Sequence, residues 1–482
     1  MENKFFALIG LSRWLVGTRL RLTIVLVLTA VLSAKAQLNN PKELSFTEYL
    51  GYVKKFHPRV KSAGLKLSEA QANLLQARGG FDPKIEVDFE KKEFKGSTYY
   101  SVLNSSFKIP TWYGLEIKAG FDNSFGNNLN PESNLPSSGL PALGISVPLG
   151  QGLWINQRMA DVQKAKLQLK LSKAERDLEA VQVVYEAAVA YLNWKRVHQE
   201  VQLYNQYLQV AQNRFNGIRQ LIQQGDKPAI DSIEAGIVVQ NRELNALDAQ
   251  LKLTKASLEL ANFLWLDNNI PLELQADIVP ENTLDQSIQE NLSLAQWTAN
   301  AEFLSAHPKL IALENKVNML QIDRKLKANQ LLPKANLGYS YLGLNDSANL
   351  PMEANYKVGV QFYFPLFLRK ERGSLKITQF KIQAAQWELE LEKQQLSNKI
   401  KAQQTEVSTL QKQRLLGQDL LTNYQRMLTS EERLFSFGES SIFLLTTRES
   451  NLVSAHLTAI QLENRYYQAQ VELFKTTAQL AN

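Results

Sequence analysis

The chain has 482 residues, 44% of them hydrophobic and 21% charged, with no cysteine and a formal net charge of +7. That length is enough for two or more ordinary domains, and the missing cysteine excludes disulfides, thiol catalysis and cysteine-borne lipid. Residues 1–36 carry five Lys/Arg and one acid, so the remainder sits near +3, a balance that argues against a nucleic-acid partner.

Arg19 and Arg21 precede an apolar run of 12 residues, Leu22 to Ser33, which ends at Ala34-Lys35-Ala36. A basic stretch, a short apolar run and a small-x-small site make 1–36 a secretory signal peptide, too short and wrongly flanked for a membrane span. Gln37 then begins an exported chain of about 446 residues. No later stretch stays apolar for roughly 18 residues, so no helix is expected to cross a bilayer.

A helix is expected from about Ser45, interrupted at Phe56-His57-Pro58-Arg59-Val60, where a histidine before proline reads as turn chemistry rather than metal binding. After Pro83 the period changes. Ile85, Val87 and Phe89 alternate with Lys84, Glu86, Asp88 and Glu90, and Leu115, Ile117, Ala119 and Phe121 with Glu116, Lys118 and Gly120. Leu143, Ile145 and Val147 alternate with Gly144 and Ser146. Period two means strands with one apolar face, expected at 84–94, 98–109, 114–122 and 142–149. Each is close to the 9–11 residues that a tilted membrane strand needs. Trp112 and Tyr113 stand at a strand end as interfacial aromatics do, and 123–139 reads as a long external loop.

Trp154 to Ile222 has no proline and one glycine, Gly217, with Val181, Tyr185, Ala188 and Leu192 at coiled-coil spacing. Roughly 70 residues of helix make a rod of about 100 Å. A break near Gly225 leads to a second helix ending near Trp265, and 266–300 reads as a linker. The pattern then returns. Ala306-His307-Pro308-Lys309-Leu310 and Pro333-Lys334 repeat earlier stretches at an offset of 250, and Phe364-Pro365-Leu366 repeats Val147-Pro148-Leu149 at 217. Leu337, Tyr339 and Tyr341, then Val358, Val360, Phe362 and Phe364, give strands at 336–343 and 357–364. A long helix from Gly373 to Leu434 and a break near Gly438 follow. The last helix carries Leu452, Ala455, Ala459, Leu462, Tyr466, Ala469, Leu473, Thr476 and Leu480 in steps of three and four. Leu462 is expected in a packed stripe and Glu463 beside it on a solvated face. At an offset of 215, Leu244, Leu247, Leu251 and Leu258 fall on members of that stripe. One unit is therefore written twice, as 37–265 with strands within 81–150 and as 301–482 with strands within 333–366.

Two tandem copies of helix, strands, long helix, break and helix, entering their strands at a proline and leaving near Pro-Leu, resemble the TolC-like outer membrane efflux proteins. The resemblance covers essentially all of 44–482. It implies an α+β membrane protein: a long α-helical coiled-coil barrel joined to a transmembrane β-barrel, built by a homotrimer in outer membrane lipid and reaching into the periplasm. It implies a passive duct from periplasm to exterior for efflux or type I secretion, docked to a periplasmic adaptor (membrane fusion) protein and an inner membrane pump. Gly225 with Asp226, and Gly438 with Glu439, are then the tip turns that meet the adaptor. Asp231, Glu234, Leu444 and Thr447 line the periplasmic aperture. Arg448 and Glu449 belong to the same helix start. Some family members carry a carboxylate pair where Leu444 and Thr447 stand here. The family has two strands per copy, so the four in the first copy contain an extra hairpin, which leaves 12 and 18 strands both open. Independently, four to six strands cannot close a barrel, and three chains are the first count with room for an open channel. No HExxH, GxSxG or P-loop occurs, so no enzyme, cofactor or metal site is expected. The rival is a soluble periplasmic coiled-coil adaptor or scaffold.

Overall fold

The computed structural model describes residues 42–131, 135–292, 306–343 and 355–478. The expected signal peptide, residues 293–305 and Leu480 lie outside them. The described helices are α1 (Phe46–Phe56), α2 (Pro58–Arg78), α3 (Gln157–Gln224), α4 (Ala229–Ala261), α5 (Asp285–Leu292), α6 (Pro308–Asn329), α7 (Arg369–Ser436) and α8 (Ile442–Thr477). The strands are β1 (Lys42–Leu44), β2 (Lys84–Phe94), β3 (Ser97–Pro110), β4 (Glu116–Phe125), β5 (Leu140–Pro148), β6 (Trp265–Leu266), β7 (Ile270–Pro271), β8 (Ile278–Pro280), β9 (Lys334–Leu342) and β10 (Tyr356–Tyr363). None of the described helices is long and apolar enough to cross a membrane.

The chain forms two compact units. One takes the described parts of 53–189, 288–418 and 465–482, the other those of 1–52, 190–287 and 419–464. α3 and α7, 68 residues each, contribute to both.

The first unit holds a six-stranded sheet in the order β10-β9-β5-β4-β3-β2, antiparallel at every pairing. α2 and α6 begin alike. His57 and His307 occupy the N-caps, each ring Nδ1 accepting from the backbone N–H two residues on, at 3.3 and 3.1 Å. A proline fills the first helical position, where a missing N–H is harmless. Arg59 just beyond the first cap pairs with Glu179 and Glu186 on α3, at 2.9 and 2.5 Å. Leu310 of α6 is buried against Leu396 and Ile400 of α7.

The second unit has an aromatic centre. Phe46 and Tyr49 of α1 pack on Tyr191 of α3, ring centroids 5.3 and 5.4 Å apart, with Trp194 at 5.6 Å. The Tyr191 hydroxyl donates to the Leu44 carbonyl at 2.7 Å and accepts from the Glu281 N–H at 3.0 Å, so this buried polar group is satisfied. Burial pushes its pKa well above the tyrosine range. Segment 266–300, expected as a linker, is structured where it is described. β6 and β7 form a small hairpin, β8 pairs in parallel with β1, and α5 follows. Leu284, Ile288 and Leu292, spaced at i, i+4 and i+8, are fully buried and supply the reason.

Two details of the last helix also differ from expectation. Leu462 is half-buried, the seam being closed at Leu452 and again from Tyr466 onward. Glu463 is half-buried too, because Lys195, only 4% exposed, lies 3.6 Å away and needs a counter-charge. Burial lowers the Lys195 pKa, and Glu463 opposes that. Glu463 is therefore no neutral neighbour of the stripe.

Candidate functional site

The turns after α3 and α7 are built the same way. At the first, the Gly225 N–H donates to the Ile222 carbonyl at 3.1 Å and the Asp226 N–H to the Leu221 carbonyl at 2.9 Å. At the second, Gly438 donates to Phe435 at 3.1 Å and Glu439 to Leu434 at 3.0 Å. Both are Schellman caps, which require a left-handed residue at the glycine. The φ values are +86° and +79°. Nothing lies within 4 Å of where a Cβ would stand, so backbone conformation, not crowding, calls for glycine there.

Gly225, Asp226, Gly438 and Glu439 are all exposed. Asp231 and Glu234 are half-buried in the first two turns of α4, and Leu444 and Thr447 are exposed in the first two turns of α8. Asp231 sits in the first turn, where a carboxylate complements the helix dipole. The Leu444 N–H donates to the Ser441 hydroxyl at 3.3 Å, a side-chain cap, and Thr447 donates to the Phe443 carbonyl at 2.7 Å. The two turns belong to one cluster: Ile218, Ala235 and Ile442 are buried together, with Phe215, Ile222 and Phe435 against them.

Next along the same helices lies a charged group whose members stand far apart in the sequence. Glu449 has no exposed surface. It accepts from Arg214 of α3 at 2.5 Å, and Arg242 of α4 lies 3.8 Å away, near enough for attraction but not for a hydrogen bond. Arg242 also reaches Ser450 at 3.3 Å. Glu431, nearly buried, accepts from Ser440 at 2.5 Å and lies 3.5 Å from Arg448. A signal existed. Ile442, Leu445, Glu449 and Leu452 continue the last helix's three-four steps backwards, and Arg242 falls in the buried series Ala235, Ala246, Ala249. A charge at a seam position needs a partner on the facing helix.

The sheet is the second feature. Residues opposite each other share a face, so the register sorts the six strands into rows. One row is Ile109, Ile117, Ile145, Tyr339 and Val358, and another is Ile85, Phe107, Ala119, Leu143, Tyr341 and Tyr356. Val87, Phe89, Leu103, Leu337, Val360 and Phe362 lie on the same face. The opposite face carries Lys84, Lys108, Lys118, Gly144, Ser340 and Lys357 in one row, with Glu86, Asp88, Glu90, Asp122 and Glu116 in its neighbours. Glu86 bonds Lys108 across the strands, and Glu116 bonds Arg158 at 2.9 Å. The apolar face is bare: Ile85 is 75% and Phe362 69% exposed. Soluble monomers rarely expose more than about a few hundred Å² of contiguous apolar surface. Tyr113, Trp154, Phe364 and Phe367, near strand ends, are also exposed.

Residues 301–479 match the family model described as outer membrane efflux protein. That stretch is an outer membrane efflux protein domain. The match begins within the stretch before α6 and takes in β9, β10, α7 and α8. No curated protein matches the chain by sequence. Solved structures do by fold. The Campylobacter jejuni CmeC outer membrane channel is similar over 89% of this chain and 85% of its own, at a TM-score of 0.63 and 12% identity. The open state of the Neisseria gonorrhoeae MtrE outer membrane channel matches over 90% and 88%, at 0.64 and 14% identity. The Vibrio cholerae outer membrane protein VceC matches over 89% and 95%, at 0.61 and 15% identity. The efflux-protein domain is thus part of a chain with the fold of outer membrane channels. Among the described residues no cluster of three or more His, Asp or Glu could hold a metal ion.

Proposed function

We propose that the chain is an outer membrane exit duct of a tripartite efflux or type I secretion system, a passive conduit from periplasm to exterior. The observation that carries this is the sheet with one bare apolar face and one charged face. Hydrocarbon covers the first and a water-filled lumen the second. A soluble adaptor or scaffold would leave the apolar face in water and is not favoured.

The working form is a homotrimer. Its support is a stripe on α4, where Ile230, Ile233, Ile237, Leu244, Leu247, Leu251 and Leu258 keep heptad spacing yet are all exposed in one copy. The two-copy plan of 37–265 and 301–482 is supported by the paired histidine caps and the paired Schellman turns. Gly225, Asp226, Gly438 and Glu439 form the surface that a periplasmic adaptor meets, with an inner membrane pump beyond it. Asp231, Glu234, Leu444 and Thr447 line the resting aperture, acidic in the first copy and partly apolar in the second.

The test is purification from outer membranes. The detergent-solubilised protein is expected at about three times the mature mass, with channels in planar bilayers. Replacing Leu444 and Thr447 together by Asp is expected to change single-channel conductance. A monodisperse monomer that stays soluble without detergent overturns the duct, and unchanged conductance moves the aperture elsewhere.

A further inference from the structure

Given the trimeric duct proposed above, we infer that all six strands of each copy enter the barrel wall. β2 of one copy then pairs with β10 of the next, and three copies of the sheet close at eighteen strands. The partner surface on each side is a second copy of this chain.

The hairpin of β2 and β3 is not a flap beside the sheet. β2 is registered to β3 from Lys84↔Lys108 to Phe94↔Ser97, and β3 to β4 from Pro110↔Glu116 to Ser101↔Phe125. Ile85 and Phe107 continue the row of Ala119 and Leu143, and Ile109 that of Ile117 and Ile145. Outside the wall, Ile85, Val87, Phe89, Leu103 and Phe107 would stand in water while the same face of the neighbouring strands stood in lipid. At 11 and 14 residues, both strands also meet the length needed to span hydrocarbon.

The two edges match each other. Every residue of β2 and of β10 is exposed. An unpaired edge at membrane depth leaves N–H and C=O groups with no water to bind, and only another strand satisfies them. Because the sheet is antiparallel throughout, its first and sixth strands run in opposite directions, so their union is antiparallel like the other five pairings. Both edges keep period two, so the apolar faces meet without a break. On the other face, β2 carries Lys84, Glu86, Asp88, Glu90 and Lys92 and β10 carries Lys357 and Gln361, so the polar faces of the two edges are continuous as well. With strands about 4.8 Å apart and tilted about 40°, eighteen close at a backbone diameter of roughly 36 Å, against roughly 24 Å for twelve. The outer end of the duct is then wide.

The chain has no cysteine, so introduced ones report alone. Gln361→Cys in β10 is combined with Glu86→Cys, Asp88→Cys or Glu90→Cys in β2, three positions that sample the register, and separately with Lys118→Cys in β4. All lie on the charged face. After oxidation of outer membrane trimers, at least one β2–β10 variant is expected to run as linked dimers and trimers on a denaturing gel. The β4–β10 variant is expected to stay monomeric. A β4–β10 link would put β4 at the edge of the wall, with twelve strands and the hairpin outside, and would overturn the inference. Intact trimers with no link from any β2 position overturn it as well. A protein that is monomeric and leaves the membrane fraction overturns the duct itself, a different failure.

Discussion

Glu449 is a carboxylate with no exposed surface, set between Arg214 and Arg242. Removing one member of a buried ion group leaves the others charged and uncompensated, which costs about 3–5 kcal/mol. Glu449→Ala is therefore expected to lower the unfolding free energy by roughly that amount. Lys252→Ala, which breaks an exposed pair with Asp248 at 2.7 Å, should change it by less than about 0.5 kcal/mol. Denaturant unfolding of the two purified variants checks the contrast, and equal effects would mean that the Glu449 group is solvated. A chain read along one strand of text shows Glu449 beside Arg448 and suggests a local pair. Only the fold reveals that its partners lie 235 and 207 residues earlier. The turns at Gly225 and Gly438 were legible as helix breaks, because a glycine between two long glycine-poor helices has few other uses.

α4 carries two stripes, one of large aliphatic residues and one of alanines. Its aliphatic heptad, Leu244, Leu247, Leu251 and Leu258, is plain in the sequence, and matching it to the last helix suggests a common seam. In one copy the helix instead turns its small residues inward, Ala235, Ala246, Ala249 and Ala256, and leaves the large ones outside. Periodicity locates stripes but does not say which of two stripes on one helix meets its own chain. Leu247, 63% exposed, is thus expected to matter only on assembly. Leu247→Asp is expected to dissociate the proposed trimer while leaving helix content by circular dichroism unchanged. Ala249→Asp, at a position 1% exposed, should lose helix content as well. An unaffected trimer in the first variant would remove α4 from the interface. Strands were easier to read than helices for a physical reason. Alternation such as Ile85, Val87 and Phe89 against Glu86 and Asp88 fixes the face directly, and a slip of one residue would reverse it. The short β1–β8 pairing was invisible, since three residues at each site carry no period.

At the scale of the whole molecule, the four histidines act together. Burial is the largest cause lowering the pKa of His57, His198, His307 and His456. The unfolded chain, with histidine at its ordinary value of 6.5, binds protons that the folded chain refuses. Their contribution is therefore fully present above about pH 6.5 and is lost as pH falls below it. The melting temperature should drop between about pH 7.5 and 5.5, and His57→Asn with His307→Asn should flatten part of that slope, because Asn still caps a helix but does not titrate. An unchanged slope in the double variant would assign the acid sensitivity to other groups. The bare edges of the sheet have a further, kinetic consequence. A single folded copy ends in two unsatisfied strands, a template for wrong partners as much as right ones. On the closure proposed above, finishing the fold depends on meeting other copies, so its rate is expected to rise with chain concentration, and a lone subunit would be a transient that needs an escort until it assembles.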